Sequence, residues 1–285
     1  MRHILFPSDF GKSSQAALPV ALTLAQTFQI ELRAFHGIPA NGDEHDFDNF
    51  ETVQLLAEQN GLPFASTYNK GDDITAMILH QASIDPPVAT VMGTHGRGPI
   101  AKWVMGSITE TILKQITTPL VLVTEHAMDR EWKGIKTILV GIDFSLQSRF
   151  ALGWASVIAK RTDAVIHVMH TIETGQMSGT PFEFPSLSNL DQNSEETVRQ
   201  AFRNFDSNIQ FAALPHHHVC SGVAAKEIVR LANEISADLL IIGPHGNGGV
   251  KELLIGSTTD RVVRTANCPV MIAKSQPALA DPLSE

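Results

Sequence analysis

The chain has 285 residues, 43% of them hydrophobic and 18% charged, which is enough apolar material for a folded core and argues against global disorder. Its 21 Lys and Arg against 30 Asp and Glu give a formal net charge of −9, so a surface that coats nucleic acid or an acidic membrane is not expected. Cys220 and Cys268 alone make no disulfide framework, no stretch approaches the roughly 18 apolar residues of a membrane span, and the opening MRHILFPSD is too short for a signal peptide, so a soluble cytoplasmic protein is expected.

At about 150 residues per domain, the length predicts two domains. Short apolar runs alternate with helical patterns along the chain. The first half predicts strands at 3–7, 30–36, 63–68, 88–92 and 120–124, with helices at 12–28, 49–60, 72–83 and 107–116. The second predicts strands at 136–141, 164–169, 209–214, 238–242 and 269–273, with helices at 146–160, 194–206, 223–234 and 257–265. Near-continuous apolar runs such as ADLLIIG suit strands buried on both faces of a parallel sheet. The fold class expected is α/β: two tandem, Rossmann-like, doubly wound domains of five parallel strands, at 1–126 and 135–275.

The halves repeat one another. ILFPSD at 4–9 matches ILVGID at 138–143, and GTHGRGPIAKWVMGS at 93–107 matches GPHGNGGVKELLIGS at 243–257. Both long stretches read G-x-x-G-x9-G-S without a gap, and each leads to a helical pattern and a Pro-led apolar run, PLVLV or PVMIA. Asp9 and Asp143 stand 134 residues apart, as do His36 and His170, whereas Gly93 and Gly243 stand 150 apart. The second half therefore carries 16 extra residues, expected in the Gly-, Pro- and Ser-rich stretch 174–193.

In an open α/β sheet, ligands bind beyond the carboxyl ends of the strands, where strand order reverses. The first-strand aspartates, the residues around His36 and His170, and the glycine loops all belong at that edge. A glycine loop feeding a helix N-terminus suits an anion, because its amides point outward and the helix dipole favours negative charge. Ser107 and Ser257 can cap those helices or donate a hydroxyl to phosphate. The first βα turns, PSDFGKSS and GIDFSLQS, lack G-x-G-x-x-G, and no P-loop motif occurs. A carboxylate beside polyphosphate is repelled by about 1 kcal/mol or more without a cation, so Asp9 and Asp143 fit base or ribose donors better. Capping of the first helix is the competing role for both.

A first-strand Asp, a G-x-x-G-x9-G-S loop, a helix and a Pro-led strand, present twice, resemble the universal stress protein domain of the ATP-binding type. The resemblance covers nearly the whole chain in tandem. It implies a nucleotide-binding fold, adenine nucleotide (ATP, ADP or AMP, with Mg as a possible companion) as ligand, and a role in stress resistance. Carried over residue by residue, it implies a first site of Asp9, Ile38, Gly93, Gly96, Arg97, Gly106 and Ser107, and a second of Asp143, Ile172, Gly243, Gly246, Gly256 and Ser257. Arg97 and Lys102 face Asn247 and Glu252 at the matching loop positions, and Pro244 replaces Thr94, so loop charge favours the first site for a triphosphate. Pairing of the two halves through their last strands would give an intramolecular pseudo-dimer, with a homodimer as a further possibility.

The run His216-His217-His218 ahead of Cys220 offers a metal alternative, since His216 and His218 share a face in an extended strand. No catalytic residue is assigned, because neither half shows an evident general base. A nucleotide-sensing module is therefore the expected function. A slow ATPase, a zinc-dependent enzyme built on His216 and His218, and a scaffold with vestigial sites are the alternatives.

Overall fold

The computed structural model describes residues 1–41, 49–94, 105–124, 127, 131–172, 200–207, 209–246 and 255–277. Its strands are β1 (His3–Pro7), β2 (Glu31–Pro39), β3 (Phe64–Gly71), β4 (Ala89–Gly93), β5 (Leu120–Val123), β6 (Thr137–Ile142), β7 (Val165–Ile172), β8 (His216–Ser221), β9 (Leu239–Ile242) and β10 (Val270–Ile272). The helices are α1 (Lys12–Phe28), α2 (Asn49–Gln59), α3 (Ile74–Ile84), α4 (Ser107–Gln115), α5 (Leu146–Thr162), α6 (200–206), α7 (Ala224–Glu234) and α8 (Ser257–Thr265).

Each half is a five-stranded parallel α/β unit, and the two units share one sheet of order β3-β2-β1-β4-β5-β10-β9-β6-β7-β8. The join is antiparallel, Val270 opposite Leu122 and Ile272 opposite Leu120, so the last strand of each half covers the edge of the other. Helices α1, α2, α5 and α6 pack one face of the sheet around Phe6, Leu24, Trp154 and Phe202. Helices α3, α4, α7 and α8 pack the other around Phe35, Ile112, Ile228 and Val262. Burial on both faces explains why β1, β4, β5 and β9 are almost wholly apolar.

Two side chains at matching positions tie the halves together. Thr124, just past β5, donates through Oγ1 to the Ala266 carbonyl at the end of α8 (2.7 Å). Lys274, just past β10, donates through Nζ to the Leu113 carbonyl in the last turn of α4 (2.6 Å). Burial pushes the Lys274 ammonium down to about 8.

The expected strand at 209–214 is a correction: residues 209–214 form no strand, and the third strand of the second half is His216–Ser221. The apolar signal there comes from Ile209 and Phe211, which pack on the core from a loop. Strand β8 lies at the sheet edge with mostly exposed side chains, so its sequence need not be apolar. Strands β2 and β7 run further than expected, to Pro39 and Ile172, which draws Ile38 and Ile172 into the ladder with β3 and β8. The 174–193 insertion and most of the helix expected at 194–206 lie outside the described residues; residues 200–206 are helical. Among the described residues, no helix is long and apolar enough to cross a membrane.

Candidate functional site

In each half the strand order reverses between the first and fourth strands, which opens a crevice beyond their carboxyl ends. Asp9 and Gly93 flank this crevice in the first half, and Asp143 and Gly243 in the second. Gly96 and Arg97 lie outside the described residues, as do His95, Lys102, Asn247 and Glu252.

The aspartates bond to the backbone two residues on, in the turn that leads into the first helix of each half, whose N-caps are Gly11 and Ser145. Asp9 Oδ1 accepts from the Gly11 amide (2.9 Å) and from the Ser14 hydroxyl (2.6 Å) at the start of α1. Asp143 Oδ1 accepts from the Ser145 amide (3.0 Å), and Ser145 in turn caps α5 by accepting from the Ser148 amide (3.1 Å). Oδ2 of Asp143 lies so close to Gly246 that any Cβ there would collide with it. The carboxylate thus reaches the glycine loop itself, across the crevice floor.

The glycines of the motif have separate jobs. A Cβ on Gly93 would stand 2.6 Å from the Ser13 backbone, and one on Gly243 3.0 Å from Gln147 Cβ, so these two permit the close crossing of α1 and α5. Gly106 and Gly256 are N-caps with extended backbones and no side chain to offer. Their amides close the loop by donating to the Thr94 and Pro244 carbonyls, both at 2.9 Å. The donors left facing the crevice are the next three amides, at Ser107, Ile108 and Thr109 and at Ser257, Thr258 and Thr259. Among the described residues, none of these meets a protein acceptor. Thr109 and Thr259 pin each helix start to the strand by donating Oγ1 to the Gly93 (3.3 Å) and Gly243 (2.8 Å) carbonyls. A helix N-terminus whose first amides lack protein acceptors carries the positive end of the helix dipole.

The remaining predicted positions sit differently. His36 Nδ1 lies 2.7 Å from the Ser8 carbonyl and its ring rests 4.9 Å from Phe10. His170 repeats this with the Ile142 carbonyl (3.1 Å) and Phe144 (4.6 Å), and burial pushes its imidazole below the usual histidine range. Both histidines therefore pin the second strand of a half to the first. The Ile172 carbonyl is taken by the Gly222 amide (3.0 Å), and Ile38 is buried in the sheet. The residues that line the crevices at this level are Gly37 and Thr171, one position earlier.

The two crevices differ in size. The second encloses about 770 Å³, walled by apolar Met169, Ile228 and Ile242 on one side and by Asp143, His245 and Ser257 on the other. The first encloses about 190 Å³ and is lined mainly by Phe35, Ile74, Ile78 and Met92 below Gly106 and Ser107. Only the second lies in the 300–1,000 Å³ range usual for small-molecule sites. It also holds His245, a residue of the glycine loop, and Arg261, which the motif did not disclose. Among the described residues, His245 Nδ1 is buried without a hydrogen-bond partner. Arg261, one turn into α8, lines the crevice and pairs with no carboxylate among the described residues. The signal that could have found Arg261 is the repeat offset of 150, which sets it against Thr111.

His216 and His218 do meet a third imidazole. His167 on β7 stacks 4.9 Å from His216 and 5.1 Å from His218, and its Nδ1 lies 2.9 Å from His218 Nε2. Burial, then the neighbouring imidazoles, hold His167 and His218 below the usual histidine range. His217 points to the other face, onto Asp206 (2.7 Å) and Phe202 (4.3 Å). Among the described residues, no group of three or more His, Cys, Asp or Glu is arranged to hold a metal ion.

The fold and its repeated crevice define a tandem Rossmann-like protein with a crevice at the switch point of each half. The universal stress protein family model matches residues 1–124 and again 134–274, and the chain belongs to that family. Universal stress protein A homolog 1 of Coxiella burnetii is 31% identical over 137 residues, covering 48% of this chain and 94% of its own. A universal stress protein of Mycobacterium tuberculosis is 24% identical over 246 residues, covering 81% of this chain and 75% of its own. Of other mycobacterial relatives the chain spans 61% of the length. A Pseudomonas aeruginosa structure described as a putative universal stress protein superposes with a TM-score of 0.71 at 20% identity, over 95% of this chain and 92% of its own, which shows the shared fold.

Proposed function

We propose that this chain is a cytoplasmic stress-response protein that binds adenine nucleotide and acts as a nucleotide-responsive module. Its two units are 1–126 and 135–275. The observation that carries the reading is the α8 N-terminus: the Ser257, Thr258 and Thr259 amides open onto a crevice of about 770 Å³ that also holds Arg261 and the unpartnered His245 Nδ1. The amides and Arg261 suit phosphate oxygens, with or without Mg. The Met169, Ile228 and Ile242 wall suits the flat apolar face of a base. Asp143, which lines the same crevice, suits base or ribose hydroxyl donors. Binding without efficient turnover fits a site in which Asp143 Oδ1 already accepts from the Ser145 amide.

Mass spectrometry of small molecules released from freshly purified protein, with calorimetric titration of ATP, ADP and AMP, tests this. An adenine nucleotide released in stoichiometric amount, or saturable binding, is expected. No binding at millimolar nucleotide would refute it.

A further inference from the structure

The repeat offsets align the two crevices residue by residue. Gly37 aligns with Thr171, Phe35 with Met169, Ile78 with Ile228, and Ile74 with Ala224. Ile74 and Ala224 are the first residues of α3 and α7. In the first half the Ile74 side chain lies over Gly37: a Cβ on Gly37 would stand 2.8 Å from Ile74 Cγ2 and 3.0 Å from Cδ1. In the second half the bulk sits on the strand, as Thr171, and the helix contributes only a methyl group. Both Ile74 and Ala224 line their crevices, so the exchange acts on the space a ligand would fill. A branched four-carbon side chain projecting from a helix start removes room in front of the sheet, and Phe35 in place of Met169 removes more. The volumes, about 190 Å³ against about 770 Å³, follow that difference. The approach differs in charge as well: Asp72 and Asp73 precede Ile74, where Gly222 and Val223 precede Ala224. Arg261 lines the second crevice, where the first half has Thr111.

We propose that the two halves are functionally unequal, that the second half holds the chain's one working nucleotide site, and that Ile74 is the residue that closes the first. The proposal rests on the nucleotide reading above and reverses the order that loop charge alone suggests. The first half keeps the N-terminus of α4 but leaves only about 190 Å³ beside it, against about 770 Å³ in the second. It serves as the structural partner that completes the shared sheet.

Equilibrium titration of the full chain with ATP and Mg tests this through stoichiometry. One ATP per chain is expected for the wild type. Ala224→Ile, which puts the first half's bulk into the second, is expected to weaken binding at least tenfold. Ile74→Ala is expected to raise the count to two, and the double exchange Ile74→Ala with Ala224→Ile to return it to one, moved to the first half. Thermal melting of each variant confirms that it folds. Two ATP per wild-type chain would overturn the inequality while leaving the nucleotide reading standing. A folded Ala224→Ile variant that binds as the wild type does would overturn the assignment to the second half. A folded Ile74→Ala variant that still takes one ATP would overturn the role given to Ile74. No binding by any of them would overturn this proposal and the nucleotide reading together.

Discussion

Replacing Lys274 by Met should change how stability depends on pH, because this lysine bridges the two halves from a buried position. Its Nζ donates to the Leu113 carbonyl (2.6 Å) from a position where burial lowers its proton affinity from the ordinary lysine value of 10.5 to about 8. That interval corresponds to about 3 kcal/mol if it were felt in full, and to about 1–2 kcal/mol after allowing for the part of the side chain still in water. The unfolded lysine keeps its proton up to about pH 10.5, whereas the folded one releases it near 8. Between those values the unfolded chain binds more protons, so this group adds stability as pH rises through the window and withholds it below pH 8. Urea denaturation of the wild type and of Lys274→Met at pH 7 and at pH 10 isolates the effect, because every other titration is common to both proteins. The wild type should gain about 1–2 kcal/mol on the variant between the two pH values. Parallel pH dependences would refute the reasoning and place the ammonium in bulk water.

Gly93→Ala should cost about 1–3 kcal/mol in chemical denaturation, because the new methyl meets the Ser13 backbone at 2.6 Å and α1 must shift. Arg261→Ala should weaken ATP binding about tenfold in calorimetry, the worth of one charge-assisted hydrogen bond, and leave adenosine binding unchanged. Acid should loosen β8: His167 and His218 both resist protonation, so stability is present above the ordinary histidine value of 6.5 and is lost as pH falls below it. A His218→Gln variant should show a shallower loss between pH 7 and pH 5 by urea denaturation, and an unchanged slope would count against the stacked imidazoles.

Much of the site was legible because repetition made it so. One glycine loop is an ordinary turn; two loops at a constant offset, each with an aspartate ending the first strand, point to one crevice built twice. What the pattern could not assign was the work of each glycine. Gly93 and Gly243 serve helix crossing, while Gly106 and Gly256 spend their amides on closing the loop, so the outward donors fall one to three residues later. The apolar pattern places the strand of the histidine run too early, at 209–214, because its exposed edge position removes the apolar signal that marks its buried neighbours.

The sequence by itself determined the local chemistry: alternating helix and strand, two matching halves, glycines and a serine at the mouth of a helix in each. These depend on period and on neighbours within a few residues, which the linear order contains. Tertiary structure decided that β5 and β10 fuse the halves into one sheet, that Lys274 and Thr124 bridge them, and that Ile74 fills in one half the space that Ala224 leaves open in the other. Such outcomes turn on which side chains meet across 30 residues or more. Volume and burial belong to the packed pair of elements, and neither residue carries them alone.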